Sequence, residues 1–239
     1  MRKQRIWELD ALRGICILGM VAVHLIYDLS VMGIHIAPRL LSFFQHWGGI
    51  VFLVLSGICV TLGHRHIRRG LAVFGCGMVC TAATAGMYLL GLADKGILIR
   101  FGVLHCLGCC MVLWQFFSRC TGSGLALWGI ILCAAGFFLE QRIFVDVPWL
   151  LPLGFQYPGS TSADYFPLLP NLGFFLFGAL LGRKLYRQKE TRFPRVNPQV
   201  FPVSFLCKCG IHSLSIYLLH QPVLTGILWL VSAFAGSDK

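Results

Sequence analysis

The sequence predicts an all-α membrane protein of about seven transmembrane helices, with its N-terminus in the cytoplasm and its C-terminus outside. Three observations predict it. Hydrophobic residues make up 57% of the 239 residues and charged residues only 12%, about half of the ~25% that a soluble domain carries. Several uninterrupted apolar stretches approach the ~20 residues that a helix needs to cross hydrocarbon. The basic residues are also distributed unevenly between alternate connections. This composition excludes a water-soluble globular protein, a disordered chain, a collagen-like fibre and a coiled coil.

The first span covers roughly 11–29. Its basic start and apolar middle imitate a signal peptide, but His24 and Asp28 stand where a small-residue cleavage site is needed, so it reads as a retained span. The second, roughly 47–63, opens on an interfacial Trp47 and holds the apolar run Phe52 to Gly57. The third, roughly 70–92, follows the basic turn His64-Arg65-His66-Ile67-Arg68-Arg69. The fourth, roughly 97–117, begins near Arg100, which snorkels toward the outer interface, and carries His105 deeper. The fifth is roughly 124–139, and the sixth, roughly 167–186, presents Gly178 and Gly182 on a small-residue packing face. The seventh is roughly 211–234. Two long connections, 140–166 with Pro148, Pro152 and Pro158, and 187–209 with Pro194, Pro198 and Pro202, show little periodicity. No internal repeat or soluble domain stands out, so residues 1–239 read as one polytopic domain.

The basic residues fix the orientation. With the N-terminus inside, fifteen of the twenty Lys and Arg fall on the inner side, and Arg39, Lys95, Arg100, Arg142 and Lys239 fall outside. The net charge of +11 is thus mostly membrane topology rather than a nucleic-acid footprint, with a minority of cations left to bind an anion. The eleven cysteines lie in apolar runs or near basic loops, so they read as small buried hydrophobes in a reducing setting. The cluster His105-Cys106-x-x-Cys109-Cys110 lacks a second ligand pair at zinc-site spacing, so no metal is expected.

Ionisable groups inside a bilayer cost ~2.5–3.5 kcal/mol each on insertion scales, so they point to function. Asp10, Arg13, His24 and Asp28 all lie on the first span. At 100° per residue they fall within about 60° of one another, on one stripe of one helix. Arg13 and His24 are eleven residues apart, or ~16 Å along the axis. The plainer reading is an Asp10–Arg13 ion pair with His24 hydrogen-bonded to a neighbouring helix. The sharper one makes His24 a general base whose ring N–H is taken by Asp28, four residues on. His46, in His46-Trp47-Gly48-Gly49, is either an interfacial histidine or a second member of the same outer pocket. Arg65 and Arg68 are either inner topological anchors or a phosphate clamp, since Arg binds phosphate bidentately. Ser213, Tyr217 and His220 share a face of the last span, for interhelical hydrogen bonds or for a ligand.

Three segments carry a resemblance. Residues 9–24, from Leu9-Asp10-Ala11-Leu12-Arg13-Gly14 to His24, resemble the opening of membrane-bound acyltransferases, most closely the bacterial family similar to the catalytic domain of heparan-alpha-glucosaminide N-acetyltransferase. The Arg13-x10-His24 spacing also resembles the acyltransferase-3 family. Arg65-x-x-Arg68 resembles the latter's inner arginine pair, and residues 210–222 resemble the terminal span, through Ser213, Ser215, Tyr217, His220, Gln221 and Pro222. The resemblance implies an acyl-CoA-dependent acetyltransferase of the plasma membrane. It would move an acyl group from cytoplasmic acetyl-CoA to a hydroxyl or amine of a sugar or envelope glycan outside. It implies His24 as a catalytic residue, with His46 as the alternative, and the spacing of the first span adds Asp28 as the group that orients the ring. The resemblance implies Arg13, Arg65 and Arg68 as contacts for acyl-CoA; the shared face of the last span adds Ser213, Tyr217 and His220 to that site, with Tyr217 or His220 as the partner of the thioester oxygen. The essential histidine of the animal enzyme falls after the first span, so His24 and His46 both stand as the base, and direct transfer and an acyl-histidine route both stay open. The expected partners are acyl-CoA, a glycan, the bilayer and a second copy of the chain, with no nucleic acid. The alternative function is a small-solute or lipid transporter that uses the same polar stripe.

Overall fold

The computed structural model describes residues 5–34, 38–142, 147–157 and 162–236. Among these residues eight α-helices follow in order: α1 (Trp7–Val31), α2 (Pro38–Val60), α3 (His66–Leu89), α4 (Val103–Phe117), α5 (Gly122–Arg142), α6 (Leu168–Leu185), α7 (Val203–Ile211) and α8 (Ser213–Gly236). Short 3-10 turns occupy Lys95–Ile97 and Pro148–Leu153. Extended pairing is limited, among the described residues, to an isolated parallel bridge between Phe101 and Tyr165.

Among the described residues, five helices, α1, α3, α5, α6 and α8, are long and apolar enough to cross a membrane. The fifteen residues of α4 reach ~22 Å at 1.5 Å per residue, short of the ~30 Å of a hydrocarbon core. The described apolar stretch of α2 runs over Trp47–Val60. Among the described residues, five helices thus meet both length and composition where the sequence predicted about seven.

The differences from the expected boundaries have local causes. α2 begins at Pro38, nine residues before the expected 47, because proline is pre-set for the first helical position. α4 begins at Val103, not near 97. Threonines and an aspartate hold the residues before it: Ile99 N–H donates to Thr84 Oγ1 at 3.2 Å, Thr81 Oγ1 donates to the Ile99 carbonyl at 2.7 Å, and Val103 N–H donates to Asp164 Oδ2 at 2.9 Å. A carboxylate at a helix start satisfies an otherwise orphaned N–H and matches the helix dipole. α7 lies inside the stretch predicted to be an irregular connection. It starts directly after Pro202, where a residue without an N–H costs the helix nothing.

The chain divides into two compact units, residues 1–52 with 190–239, and residues 53–189; the boundary falls within α2. In the first unit, α1 packs on α7 through two glycines. A methyl group on Gly14 would collide with the Leu206 carbonyl, and one on Gly210 with the Asp10 carbonyl. Buried Glu8 ties the preceding connection to α1, accepting hydrogen bonds from Thr191 Oγ1 at 2.8 Å and Arg192 N–H at 2.7 Å. The Cys207 thiol donates to the Trp7 carbonyl at 3.4 Å.

In the second unit α6 is the central helix. Half of its apolar stretch is buried, against 11% for α3, which leaves α3 an apolar exterior suited to lipid. Phe175, Leu176 and Ala179 of α6 are fully buried. A side chain at Gly178 would strike the Val54 backbone, and one at Gly57 the Phe175 carbonyl. Small residues let helix backbones approach closely where lipid removes the hydrophobic drive to associate. His105 is fully packed as well, against Phe74 and Phe101. Its Nδ1 accepts from Gly102 N–H at 3.2 Å, and its Nε2 lies 3.3 Å from Thr81 Oγ1. That hydroxyl already gives its proton to Ile99, so Nε2 carries the hydrogen and the ring is a satisfied, neutral strut.

Candidate functional site

The polar stripe of α1 is present, and its two ends differ. At the N-terminal end Asp10 sits between two cations. Arg13 Nη1 is 3.4 Å from Asp10 Oδ1, and Arg5 Nε is 3.4 Å from Asp10 Oδ2. The plain ion-pair reading of Asp10 and Arg13 is thus realised. Beside this end, the Cys207 thiol is pushed above its usual range by burial and then by the negative charges of Asp10 and Glu8. It stays a protonated thiol and a poor nucleophile.

At the other end α1 meets α8. The His24 and His220 rings lie edge to face with centroids 4.8 Å apart. Tyr217 is on the same face of α8, its ring centroid 5.6 Å from that of His220. Ser213, half-buried, opens α8 one turn earlier. His220 Nδ1 is 2.6 Å from the Tyr217 carbonyl oxygen. Asp28 was expected to take the ring N–H of His24. Its carboxylate instead accepts from Gln221 Nε2, at 3.3 Å on Oδ1 and 3.1 Å on Oδ2, and His24 makes no hydrogen bond among the described residues. An amide on the facing helix offers two N–H donors to a carboxylate, whereas an imidazole one turn along the same helix offers one. α8 continues through Pro222, whose missing N–H leaves the Leu218 carbonyl without its helical donor.

Two side-chain atoms in this cluster, His220 Nε2 and Gln221 Oε1, are buried without a hydrogen-bond partner among the described residues. Such atoms are costly and need an explanation. Gln221 is the site residue that sequence reasoning passed over. The available signal was its place beside His220, as an amide inside an apolar helix. The backbone of His46 belongs to α2, while its side chain lies outside the described residues.

The second unit carries the other sequence-nominated cations. Arg65 immediately precedes α3, and Arg68 and Arg69 fall in its first turn; all three side chains are exposed. Three cations gathered at the positive end of a helix dipole repel one another, and an anion relieves that repulsion. Nearby is a hollow of about 280 Å³ lined in part by His64, His66, Trp114 and Arg183. Arg183 caps the end of α4, donating to the Cys120 carbonyl at 2.6 Å and to the Ser118 carbonyl, with its guanidinium 5.1 Å over the Trp114 ring. His66 Nε2 lies 2.8 Å from Gln115 Oε1.

The structure therefore brings His24, Asp28, Tyr217 and His220 together in the first unit, with Arg13 further along the same helix. Arg65 and Arg68 belong to the second unit. The family model described as heparan-alpha-glucosaminide N-acetyltransferase, catalytic, matches residues 5–222. No curated protein and no solved structure matches the chain. The matched stretch takes in the whole polar stripe of α1 and ends at Pro222, just past His220 and Gln221.

Proposed function

The chain belongs to the heparan-alpha-glucosaminide N-acetyltransferase catalytic family, a family of membrane acetyltransferases, and from that premise we propose the reaction. The protein moves an acyl group, here acetyl, from cytoplasmic acyl-CoA to an amine or hydroxyl of a sugar or envelope glycan on the outer side of the plasma membrane. The observation that carries this reading is the cluster of His24, Asp28, Tyr217, His220 and Gln221 between two apolar helices of a chain in that family. Polar groups at such depth are retained for chemistry or for a path. Family membership favours chemistry.

Seven crossings, made by α1–α6 and α8, go with this proposal, the N-terminus inside and the C-terminus outside. The fifteen-to-five distribution of basic residues supports it. Arg13 and His24 then face opposite surfaces along one helix, and their ~16 Å separation is comparable with a pantetheine arm, on the order of 15–20 Å. Arg13 serves the phosphate end of the donor. Arg65 and Arg68 are cationic contacts for donor phosphates on the inner turn. Ser213 and Tyr217 line the transfer end, where Tyr217 polarises the thioester oxygen.

An imidazole of the cluster takes the proton of the acyl acceptor as its amine or hydroxyl attacks the thioester carbon. The first-span motif points to His24 for this, with His46 as the other candidate. The Asp28 carboxylate, held by Gln221, stabilises the positive charge that the imidazole acquires. A positioned base contributes ~10²–10⁴-fold in rate.

Purified protein in lipid nanodiscs, given acetyl-CoA and glucosamine as a probe acceptor, tests the reading. It should release free CoA thiol together with N-acetylated sugar, and the double variant His24→Ala/His220→Ala should lose both while still binding CoA. Movement of a solute across vesicles without any acyl turnover would assign the polar stripe to transport and end the enzyme reading.

A further inference from the structure

The hydrogen bonding of His220 suits it to a role other than contact with the donor. The partner of its Nδ1 is a backbone carbonyl, 2.6 Å away on Tyr217. A carbonyl oxygen can only accept, so Nδ1 carries the hydrogen of that bond. In a neutral ring the lone pair then sits on Nε2. That atom is buried and has no partner among the described residues. A doubly protonated ring would bury a positive charge and leave its Nε2 hydrogen with nothing to receive it, which is the costlier arrangement. The local backbone of α8 thus fixes one tautomer and presents a bare, basic nitrogen.

The same reasoning orients Gln221. The Asp28 carboxylate only accepts, so the amide nitrogen faces it, and Oε1 becomes the second bare acceptor atom in the cluster. Two consecutive residues therefore hold hydrogen-bond acceptors with no donor to satisfy them among the described residues. The amine and hydroxyl groups of a sugar are donors of the missing kind. His24, by contrast, has no hydrogen bond among the described residues to select a tautomer. It packs its ring against the His220 ring.

We propose that His220 is the base of the transfer, its Nε2 taking the proton from the amine or hydroxyl of the acyl acceptor. The inference rests on the acyltransferase reading above. The acceptor nitrogen or oxygen forms a bond to the thioester carbonyl carbon as its proton passes to Nε2. The carbon–sulfur bond then breaks, and CoA leaves as a thiolate. That thiolate recovers the proton from the imidazolium, so the products are acylated acceptor and CoA thiol, with His220 neutral again. His24 is a positioning residue that holds the ring from one side. The Tyr217 carbonyl holds it at Nδ1.

The test uses the full chain in nanodiscs with acetyl-CoA and two probe nucleophiles, glucosamine and hydroxylamine. Hydroxylamine is an alpha-effect nucleophile whose attack depends little on a base. His220→Asn retains a donor for the Tyr217 carbonyl but cannot take a proton. It should lower kcat with glucosamine by ~100-fold or more, leave acetyl-CoA affinity within a few-fold, and largely preserve acetyl transfer to hydroxylamine. Added imidazole should restore part of the glucosamine activity of His220→Ala. His24→Phe, which keeps a packed ring, should retain more activity than His220→Asn. The proposal is overturned if His220→Asn turns over glucosamine at the wild-type rate. It is also overturned if that variant and His220→Phe, both folded by size exclusion, lose the two nucleophiles equally, since a merely structural residue would behave so. Wild-type protein that transfers acetyl to neither nucleophile would instead remove the acyltransferase reading on which the proposal stands.

Discussion

Replacing Gln221 by Leu removes the hydrogen bonds that the Asp28 carboxylate accepts among the described residues while nearly preserving side-chain volume. The two bonds are 3.1 and 3.3 Å long and end on one carboxylate. A hydrogen bond to a charged group contributes ~1.5–3 kcal/mol net. Both bonds come from one nitrogen, one of them is long, and Asp28 is only half-buried, so the pair is worth about 2 kcal/mol. For a chain of this size a loss of about 1 kcal/mol lowers Tm by ~2–4 °C, so Gln221→Leu should melt about 4–8 °C below wild type. The assay is thermal denaturation of detergent-purified protein, followed by a thiol-reactive dye because buried cysteines are plentiful. A double-mutant cycle with Asp28→Ala isolates the pair. The coupling should exceed the ~0.3–0.5 kcal/mol within which independent sites add. Acyl transfer should fall as well, since an unanchored Asp28 no longer stays fixed beside the imidazoles. Strict additivity of Gln221→Leu and Asp28→Ala would refute the contact and the α1–α8 register that it defines.

Gly210→Ala drives a methyl group into the Asp10 backbone, an overpacking of ~1–3 kcal/mol; melting should show it, while Gly19→Ala, which meets nothing, should be neutral or stabilising. Arg65→Ala/Arg68→Ala should weaken acetyl-CoA binding in titration calorimetry, and rising salt should mimic the variant because both side chains are exposed; unchanged affinity returns the turn to a topological anchor. The raised Cys207 thiol pKa predicts that iodoacetamide labels it more slowly than a free peptide thiol at pH 8, with the rate climbing as pH rises toward that pKa. Mass-resolved labelling reads this directly.

How much of this was legible in the sequence depends on what each feature rests on. Apolar length is a one-dimensional property, so α1, α3, α5, α6 and α8 were found within a few residues. α7 was not, because three prolines and several cations in 187–209 carry the signature of a connection, and only the packing of Gly210 and Leu206 on α1 makes 203–211 a helix. The start of α4 was misplaced because three side chains distant in sequence, Thr81, Thr84 and Asp164, hold the preceding backbone open. Helical periodicity placed His24 and Asp28 on one face correctly. It does not reveal which helix faces them, so it could not assign the Asp28 carboxylate to Gln221. The tautomer of His220 was likewise invisible, since a side-chain bond to a backbone carbonyl leaves no mark in residue types. Membership of the acetyltransferase family was legible from the first-span motif, and the match over residues 5–222 agrees with it.

The central claim is that acyl groups pass through the membrane from an inner donor to an outer acceptor. It is tested most directly in sealed proteoliposomes of one known orientation. Acetyl-CoA is supplied only on the face that carries the N-terminus, and glucosamine only on the opposite face. The account predicts N-acetylglucosamine on the glucosamine side and free CoA on the donor side, both lost in His24→Ala/His220→Ala. Product that forms only when both substrates share one face would contradict transfer through the membrane, even for a chain that proves to be an active acetyltransferase.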